Sequence, residues 1–427
     1  MDLIEFFIPT EMFFIFEFIF WFWWIWLPWM SWKLFRQMYT DYSVQGYKRK
    51  TWDFDLLEIV LEKGEEKTPK AMEKLITTLH GGRTSFSWWE ENIQGKRPDI
   101  FSLEIVGKDG NIHFLIRTMK KYRRLTESAI YGAFPDVDII EVEDYTKLID
   151  RSKMEVDFNL FGVDFKLAKP DAYPIRTYHE FLDSDNDGKI DDPLSQVLEN
   201  LANLQKGEQM WIQFVCEPQE DDKWIGKSQQ ELDKIIGKAT DDKRTWGEKN
   251  ISPILEVLSF GLFKAPPAPA PKEQKFGVAQ DLTPGQADQL KAIERNMTKP
   301  GFKTSFRIIY IADTDKFSPA PIKTFLGALK QFNDSKLNSF KPNGDTITLV
   351  DDFFARSKPG VERFRKNIIL DHYVKRKIKE AKFVFNTEEL ATVFHFPNGT
   401  VTTSTLRRIK SRKASPPTEL PLLDDNQ

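Results

Sequence analysis

A run of 21 residues near the N-terminus restricts the architecture of this chain more than any other part of it. The run extends from Met12 to Trp32, reads MFFIFEFIFWFWWIWLPWMSW, and holds one charged side chain, Glu17. At about 1.5 Å per residue, a helix of this length crosses a hydrocarbon core about 30 Å thick. The run therefore predicts a membrane-spanning helix.

The charges on either side of the run predict its orientation. No Lys or Arg precedes it, whereas Lys33, Arg36 and the basic residues 48–50 follow it. Because positive flanks stay on the cytoplasmic side, we expect a single-pass anchor in the cell inner membrane with a cytoplasmic body. The predicted anchor side chains are Phe13, Phe16, Phe20, Trp21, Trp24, Trp26, Trp29 and Trp32.

Two other interpretations of the run remain open. A cleaved signal peptide normally begins with basic residues, but Asp2, Glu5 and Glu11 come first here. A soluble or interfacial helix is the second alternative, although no comparably apolar and aromatic run follows downstream to pack against it. The spanning helix is the interpretation that the composition favours.

The composition of the whole chain limits the remaining classes of protein. Of the 427 residues, 41% are hydrophobic and 29% are charged, and the formal net charge is −3. These values are typical of a globular protein and exclude a strongly basic nucleic-acid binder as a description of the whole chain. The single cysteine, Cys216, excludes an internal disulfide framework and a cysteine-based zinc site.

Residues 52–150 predict an α+β domain with the element order β-α-β-β-α-β. The expected strands are Phe54–Leu61, Phe101–Val106, Ile112–Arg117 and Val137–Val142, and the expected helices are Pro69–His80 and Lys120–Ala133. This order is that of the ferredoxin-like split unit, an antiparallel sheet with two helices on one face. We therefore expect an α+β fold of ferredoxin-like modules behind a single transmembrane helix.

The rest of the body predicts a second α+β domain. Alternating or strongly apolar segments at 155–168, 209–216 and 304–312 indicate strands, and helices are expected at 193–205, 228–238, 284–297 and 319–332. The predicted organisation is an anchor at 1–34, a juxtamembrane linker at 35–51, α+β domains at 52–150 and 151–397, a Pro/Ala loop at 264–272 and a disordered tail at 398–427.

An acidic loop matches part of the calcium-binding pattern of an EF-hand. Asp183, Asp185, Asp187 and Asp191 occupy positions 1, 3, 5 and 9 of an EF-hand loop, with Gly188 at position 6. Position 12, where a bidentate Glu is required, is Leu194. The same residues are explained by a solvated acidic turn before a helix N-terminus, so calcium is the weaker of two interpretations.

No arrangement of residues indicates catalysis. Gly226-Lys227-Ser228 resembles the end of a phosphate-binding loop, but the glycine required five residues earlier is Asp221. The five histidines have no metal-ligand spacing, and Cys216 lies in an apolar strand. We therefore expect no enzymatic activity, no catalytic residue and no cofactor apart from the candidate calcium ion.

A basic stretch at 356–382 predicts an exposed helix for an acidic partner or for phosphate groups. The candidate contact residues are Arg363, Arg365, Lys366, Lys375 and Arg376. Basic segments that also contain aromatic residues can bind nucleic acid, so nucleic acid is one candidate partner. A solvated helix face is the plainer interpretation.

The order of several segments resembles a known family. These are Leu57–Gly64, Pro69–His80, Phe101–Tyr145, Asp192–Phe214 and Phe385–Pro397, followed by Pro416–Pro421. Together they resemble the region before the motor domain in membrane-linked type IV secretion or conjugation-like ATPases of the HerA/FtsK class, found in candidate-phylum bacteria. The resemblance covers about residues 52 to 421.

The resemblance implies a function without implying ATP hydrolysis. The family's motor carries a Gly-x-x-x-x-Gly-Lys-[Ser/Thr] loop, and this sequence has none. We expect a membrane-anchored scaffold for a separately encoded P-loop motor ATPase that also binds copies of itself, unless the chain is a truncated or split product. A membrane-tethered protein that binds calcium or another ligand is the alternative.

Overall fold

The computed structural model describes residues 21, 23–62, 68–183, 192–235, 283–348, 358–378, 382–397 and 408–409. The chain divides into two compact units. The first comprises Met1–Phe54 and Thr84–Asp99, and the second comprises Asp55–Arg83 and Ile100–Gln427.

The described helices and strands alternate along most of the chain, so the predicted α+β class is confirmed. The helices are α1 (Trp23–Thr51), α2 (Pro69–His80), α3 (Trp88–Asn92), α4 (Arg123–Ala133), α5 (Tyr178–Asp183), α6 (Ser195–Ala202), α7 (Asp221–Ile235), α8 (Pro284–Met297), α9 (Ala320–Leu329), α10 (Lys358–Val374) and α11 (Thr387–Val393). The strands are β1 (Phe54–Glu62), β2 (Phe101–Lys108), β3 (Asn111–Met119), β4 (Val137–Glu141), β5 (Phe158–Leu167), β6 (Glu208–Pro218), β7 (Gly301–Asp313), β8 (Phe340–Pro342), β9 (Phe383–Asn386) and β10 (Arg408–Ile409).

The first unit contains α1 and α3. Helix α1 continues to Thr51, so the segment predicted as a linker at 35–51 is helical instead. The physical reason is that no proline follows Pro28 within the helix, so backbone N–H groups beyond the first turns remain available for helical hydrogen bonds. Polar and basic composition alone was a poor guide to the absence of regular structure.

The second unit is built on one sheet of ten strands. Its strand order is β10-β1-β3-β2-β6-β7-β5-β8, with β4 paired to β1 and β9 paired to β7. Strands β2 and β6 pair antiparallel over eight residues, from Phe101 opposite Cys216 to Lys108 opposite Gln209. The domain boundary predicted at residue 150 therefore falls inside a continuous sheet.

Local turn chemistry explains the hairpin between β2 and β3. Asp109 and Gly110 connect the two strands with φ angles of 52° and 81°. Positive φ at both central residues is what a tight turn of the primed type requires, and Asp-Gly is among its preferred sequences. The turn sets Lys108 opposite Asn111, and the rest of the hairpin register follows from that pair.

The tail also differs from its prediction. Arg408 and Ile409, inside the segment predicted to be disordered, form β10 and pair in parallel with the end of β1. Backbone pairing with an available strand end can order a polar segment that composition alone does not order. The Pro/Ala loop predicted at 264–272 lies outside the described residues.

One face of the sheet is apolar and carries most of the helices. Ile105, Ile212, Ile308 and Val163 lie side by side on β2, β6, β7 and β5 and belong to the main core cluster. Helices α2, α4, α6, α9 and α11 contribute side chains to the same cluster. Burial of these side chains, at about 25 cal/mol per Å² of apolar surface, is the main source of stability.

Helix α10 covers the opposite face. Its Ile369, Leu370 and Tyr373 join a second buried cluster with Trp211 of β6 and Ile309 of β7. The close approach of α10 to β5 depends on a glycine, because a Cβ added to Gly162 would lie 2.8 Å from Cγ2 of Ile369.

Replacing Gly162 by alanine should lower the free energy of unfolding by about 1–3 kcal/mol, since overpacking a well-filled core forces side chains off their preferred rotamers. Chemical denaturation followed by circular dichroism measures this change. Gly327→Ala is the matched control, because no atom lies within 4 Å of an added Cβ in that α9 position. The control should raise stability by about 0.4–1 kcal/mol, and equal losses in both variants would contradict the packing argument.

Candidate functional site

Helix α1 exposes an unusual amount of aromatic surface. Its Trp24, Trp29 and Trp32 side chains are between 60% and 64% exposed, and Trp21, just before the helix, is 71% exposed. Further along the helix Leu34, Phe35, Met38, Tyr39 and Tyr42 are exposed as well. Exposed aromatic side chains at this density along one helix are typical of an interaction site.

The predicted anchor residues fall partly within this helix. Phe13, Phe16 and Phe20 lie outside the described residues, as does the side chain of Trp26. Among the parts of the chain that the structure describes, no helix combines the length and the apolar character needed to cross a bilayer.

The predicted basic helix is placed differently from its prediction. Arg365 donates to the carbonyls of Gly344 and Ile347, and Lys366 contacts Glu155 at 3.2 Å and Asn159 at 2.9 Å. Lys375 pairs with Asp371, and the Arg376 side chain is 1% exposed. Of the five candidate contact residues, Arg363 is the most exposed, at 60% of its side chain. Arg376 and Lys366 therefore stabilise the body and do not present their charges to a partner.

A row of buried polar residues crosses the sheet beneath α10. Glu104 of β2 lies opposite Gln213 of β6, Gln213 lies opposite Arg307 of β7, and Arg307 lies opposite Asp164 of β5. All four side chains are almost completely buried. We call these four residues the cross-strand polar row. On each strand, its member is the neighbour in sequence of one of the core residues Ile105, Ile212, Ile308 and Val163. Successive side chains of a strand alternate between faces, so the polar row points to the face opposite the main core.

Hydrogen bonds connect the members of the cross-strand polar row. Gln213 donates to Oε1 of Glu104 at 3.0 Å, and Nε of Arg307 contacts Oδ1 of Asp164 at 3.0 Å. Arg307 also donates to the backbone carbonyl of His372 at 2.5 Å, which ties the row to the end of α10. Each buried charge therefore has a partner, as buried ionic groups require.

Arg376 is the central cation of this network. Its guanidinium contacts Glu104 at 3.0 and 3.2 Å and Asp144 at 2.5 and 3.1 Å. Burial opposes ionisation of Glu104, but the charge and the hydrogen bonds of Arg376 outweigh it and lower the carboxyl pKa. Tyr145 donates to Glu104 at 2.7 Å and shares a hydrogen bond with Tyr373 at 2.8 Å. Burial raises the pKa of both tyrosines, so they remain neutral donors.

A second ionic cluster surrounds α11. Nζ of Lys299 lies 2.5 Å from Glu73 and 2.6 Å from Glu388. Thr177 donates to the other oxygen of Glu388 at 2.6 Å, and Tyr178 donates to Glu73 at 2.6 Å. The cluster joins α2, α5 and α11, so it fixes the segment at 383–396 to the body.

Glu389, next to this cluster, has a perturbed titration. Its carboxylate accepts backbone N–H groups of Asn386 and Ile175, each at 3.0 Å. Complete burial nevertheless raises its pKa to about 8. Because this pKa is higher than the ordinary value of 4.5, the folded chain binds the proton more tightly than the unfolded chain does. Its contribution to stability is complete below the ordinary pKa and is lost as the pH rises toward 8.

Replacing Glu389 by glutamine should therefore flatten this pH dependence. The free energy of unfolding of the parent chain should fall relative to the variant by about 1.4 kcal/mol per pH unit between pH 5 and pH 8. Denaturation curves of both proteins across this range measure the difference. Parallel pH profiles would contradict the assignment.

Glu388→Gln provides a control of opposite sign. Lys299 and Thr177 lower the pKa of Glu388 against the effect of burial, so its stabilising contribution is present at neutral pH and is lost on acidification. The glutamine variant should be less stable than the parent at pH 7. The free energies of unfolding of the two proteins should converge as the pH falls below the ordinary pKa of a glutamate side chain.

Most of the candidate calcium-binding loop lies outside the described residues. Asp185, Asp187 and Asp191 lie outside the described residues, and Asp183 ends α5 with its side chain also outside them. Within the described ranges, no group of three or more His, Cys, Asp or Glu side chains is arranged to hold a metal ion. Cys216 is buried, and desolvation raises the pKa of its thiol.

The cross-strand polar row was missed at the level of sequence, although a signal for it exists. In each of four strands one polar residue stands between two large apolar residues: Leu-Glu-Ile at 103–105, Ile-Gln-Phe at 212–214, Phe-Arg-Ile at 306–308 and Val-Asp-Phe at 163–165. A charge between two core residues of a strand faces the opposite side of the sheet. Four such positions, with charges of both signs among them, indicate a covered polar face.

Comparison with known proteins identifies one family. No curated protein matches the chain. A family model described as a domain of unknown function, DUF8128, matches residues 55–408, from the start of β1 to β10, and leaves α1 outside the match. Since the match covers well over half of the 427 residues, the chain belongs to the DUF8128 family.

Proposed function

We propose that this protein is a non-enzymatic, membrane-anchored scaffold. The observation that carries the proposal is the exposed aromatic surface of α1, which continues the apolar run that begins at Met12. Tryptophan is the residue most suited to the boundary between lipid tails and water, because its ring is apolar and its N–H is polar. We propose that residues 12–32 form the single transmembrane helix.

Charges beyond the tryptophans support a cytoplasmic body. Nζ of Lys33 lies 3.9 Å from the ring centre of Trp29, an arrangement that suits a basic side chain at a lipid interface. Lys48, Arg49 and Lys50 occupy the last turn of α1. Basic residues that follow a membrane-spanning segment favour retention of that flank on the cytoplasmic side of the inner membrane.

The finer fold of the body also belongs to the proposal. The strand order β4-β1-β3-β2, with α2 and α4 both packed on the apolar face, supports a ferredoxin-like unit in the first half of the sheet. The buried, fully paired polar face supports a rigid platform, because charges paired at short distance resist rearrangement of the elements that carry them. A platform of this kind suits a scaffold better than a mobile catalytic site.

The partner that the resemblance implies is a P-loop motor ATPase, with further copies of this chain beside it. Of the predicted basic surface, Lys375 and Arg363 remain exposed, and Arg363 lies next to the exposed Phe364 on α10. Arg and aromatic residues are enriched at protein interfaces. We propose that Arg363 and Phe364 contribute to the partner contact, while contact with nucleic acid is a weaker expectation.

Cross-linking in native membranes, followed by recovery of the full-length chain, tests the partner. A P-loop ATPase should be recovered, and Arg363→Ala with Phe364→Ala should reduce its recovery. Lys153→Ala, on another exposed part of the body, is the control and should leave recovery unchanged. Absence of any ATPase from a cross-linked membrane sample would contradict the proposed partner.

Flotation tests the membrane contact directly. The purified full-length chain, mixed with phosphatidylcholine vesicles and centrifuged through a density gradient, should rise with the vesicles at both low and high salt. Persistence at high salt is expected because apolar insertion, unlike charge attraction, is not screened. Recovery of the chain at the bottom of the gradient at both salt concentrations would contradict the proposal.

A further inference from the structure

Two adjacent tryptophans outside α1 are unusually exposed. Trp88 and Trp89 begin α3, and their exposed fractions are 64% and 58%. No residue of α3 is buried, so neither indole is held in place by the need to fill a core. Paired exposed indoles on an ordered turn indicate a contact surface.

The turn that carries the two indoles is well defined. Ser87 accepts the N–H of Glu90, and the Glu90 carboxylate accepts the N–H of Ser87 at 2.9 Å, which completes a capping box. Nζ of Lys96 lies 2.7 Å from the same carboxylate. These bonds fix α3 and pair the charge of Glu90 with that of Lys96.

The segment 84–99 is attached to α1 within the first unit. The Tyr39 hydroxyl donates to the carbonyl of Ile93 at 3.3 Å, and the rings of Tyr47 and Phe86 lie 6.4 Å apart. Gly95 lies so close to Ser43 that an added Cβ would be 2.3 Å from its carbonyl carbon. Trp88 and Trp89 are therefore carried by the same compact unit as the exposed aromatic residues of α1.

The attachment point coincides with the end of the exposed aromatic surface of α1. Tyr42, the last large exposed apolar residue of the helix, immediately precedes Ser43. The exposed aromatic surface of α1 therefore extends as far as the position against which segment 84–99 packs. Lys96 neutralises Glu90, and Glu91 is the other carboxylate of α3. A lipid of zero net charge therefore suits the adjoining indoles better than an anionic lipid.

We propose that Trp88 and Trp89 are a second lipid-contacting site, which enters the headgroup region of the bilayer that holds α1. This inference rests on the proposed function, because the same membrane is the partner in both. Two contacts from one unit, one from α1 and one from α3, fix the orientation of that unit on the bilayer as well as its attachment.

Single-cysteine labelling tests the site in the full-length chain. The native Cys216 is completely buried, so a maleimide dye reacts selectively with a cysteine introduced at an exposed position. Trp88→Cys and Trp89→Cys, each labelled with an environment-sensitive fluorophore, are reconstituted into phosphatidylcholine vesicles with and without spin-labelled headgroups. Trp29→Cys reports on α1, and Leu148→Cys reports on an exposed apolar position of the second unit.

The four positions distinguish the two proposals. We expect spin-labelled headgroups to reduce emission about twofold at position 88 or 89 and at position 29, but not at position 148. Quenching at position 29 with none at 88 and 89 would overturn the second lipid site and leave the proposed function standing. Absence of quenching at all four positions would overturn both. A blue shift at 88 or 89 without quenching would identify a protein contact and would also overturn the lipid site, as would equal quenching at 148.

Discussion

Replacing Arg376 by methionine should lower the free energy of unfolding by about 3–5 kcal/mol, because the substitution leaves buried carboxylates without their cation. Glu104 is completely buried and Asp144 is partly buried, and both contact the guanidinium within 3.2 Å. Denaturation of the purified chain, followed by far-ultraviolet circular dichroism, measures the loss. Adding Glu104→Gln to the Arg376→Met variant should recover part of it, since the unpaired charge is then removed.

Arg363→Met, within α10, is the matched control. The Arg363 side chain is 60% exposed, and its nearest carboxylate, that of Glu155, is 3.9 Å away. Exposed pairs of this kind contribute little, so the control should change the free energy of unfolding by less than about 1 kcal/mol. Equal effects of the two substitutions would show that Arg376 is not the buried cation of the polar network.

Introducing two arginines into the apolar run should move the chain out of the membrane fraction. Phe20→Arg combined with Trp24→Arg places two charges on either side of the midpoint of residues 12–32. Each arginine at the centre of a membrane helix costs about 2.5–3.5 kcal/mol on insertion, so the pair should reduce membrane partitioning by more than a hundredfold. Quantitative immunoblotting of membrane and soluble fractions measures the change.

Phe364→Arg controls for the general effect of added charge. Phe364 is exposed on α10, so its replacement leaves the apolar run unchanged. The control should remain in the membrane fraction together with the parent chain. If the double arginine variant also remained there, residues 12–32 would not be the anchor.

The elements of the body follow from local signals. The Pro69–His80 helix was predicted to the residue, and the ends of the strands on either side of Asp109-Gly110 were predicted to within two residues. A proline at a helix start and a two-residue turn act over only a few positions. The sequence did not predict that the strands of the two expected domains join in one sheet. This joining depends on the pairing of β2 with β6, whose edges lie more than 100 residues apart in the chain.

The buried charges show the same limit more sharply. The density of Lys and Arg at 356–382 is typical of an exposed basic helix and predicts that Arg376 lies on a partner surface. Its actual partner, Glu104, is 272 residues away in the chain. No local pattern reports a contact of that separation. The alternation of single polar residues within four apolar strands was nevertheless present, and it indicates in which strands to look for a covered polar face.

Fractionation of the intact polypeptide tests the central claim most directly. Cells that express the full-length chain are lysed, and their membranes are collected, washed with alkaline carbonate to remove peripheral proteins, and floated through a density gradient. A scaffold anchored by residues 12–32 should remain with the floating membranes after the wash. Recovery of the intact chain in the soluble pool before the wash would contradict the account.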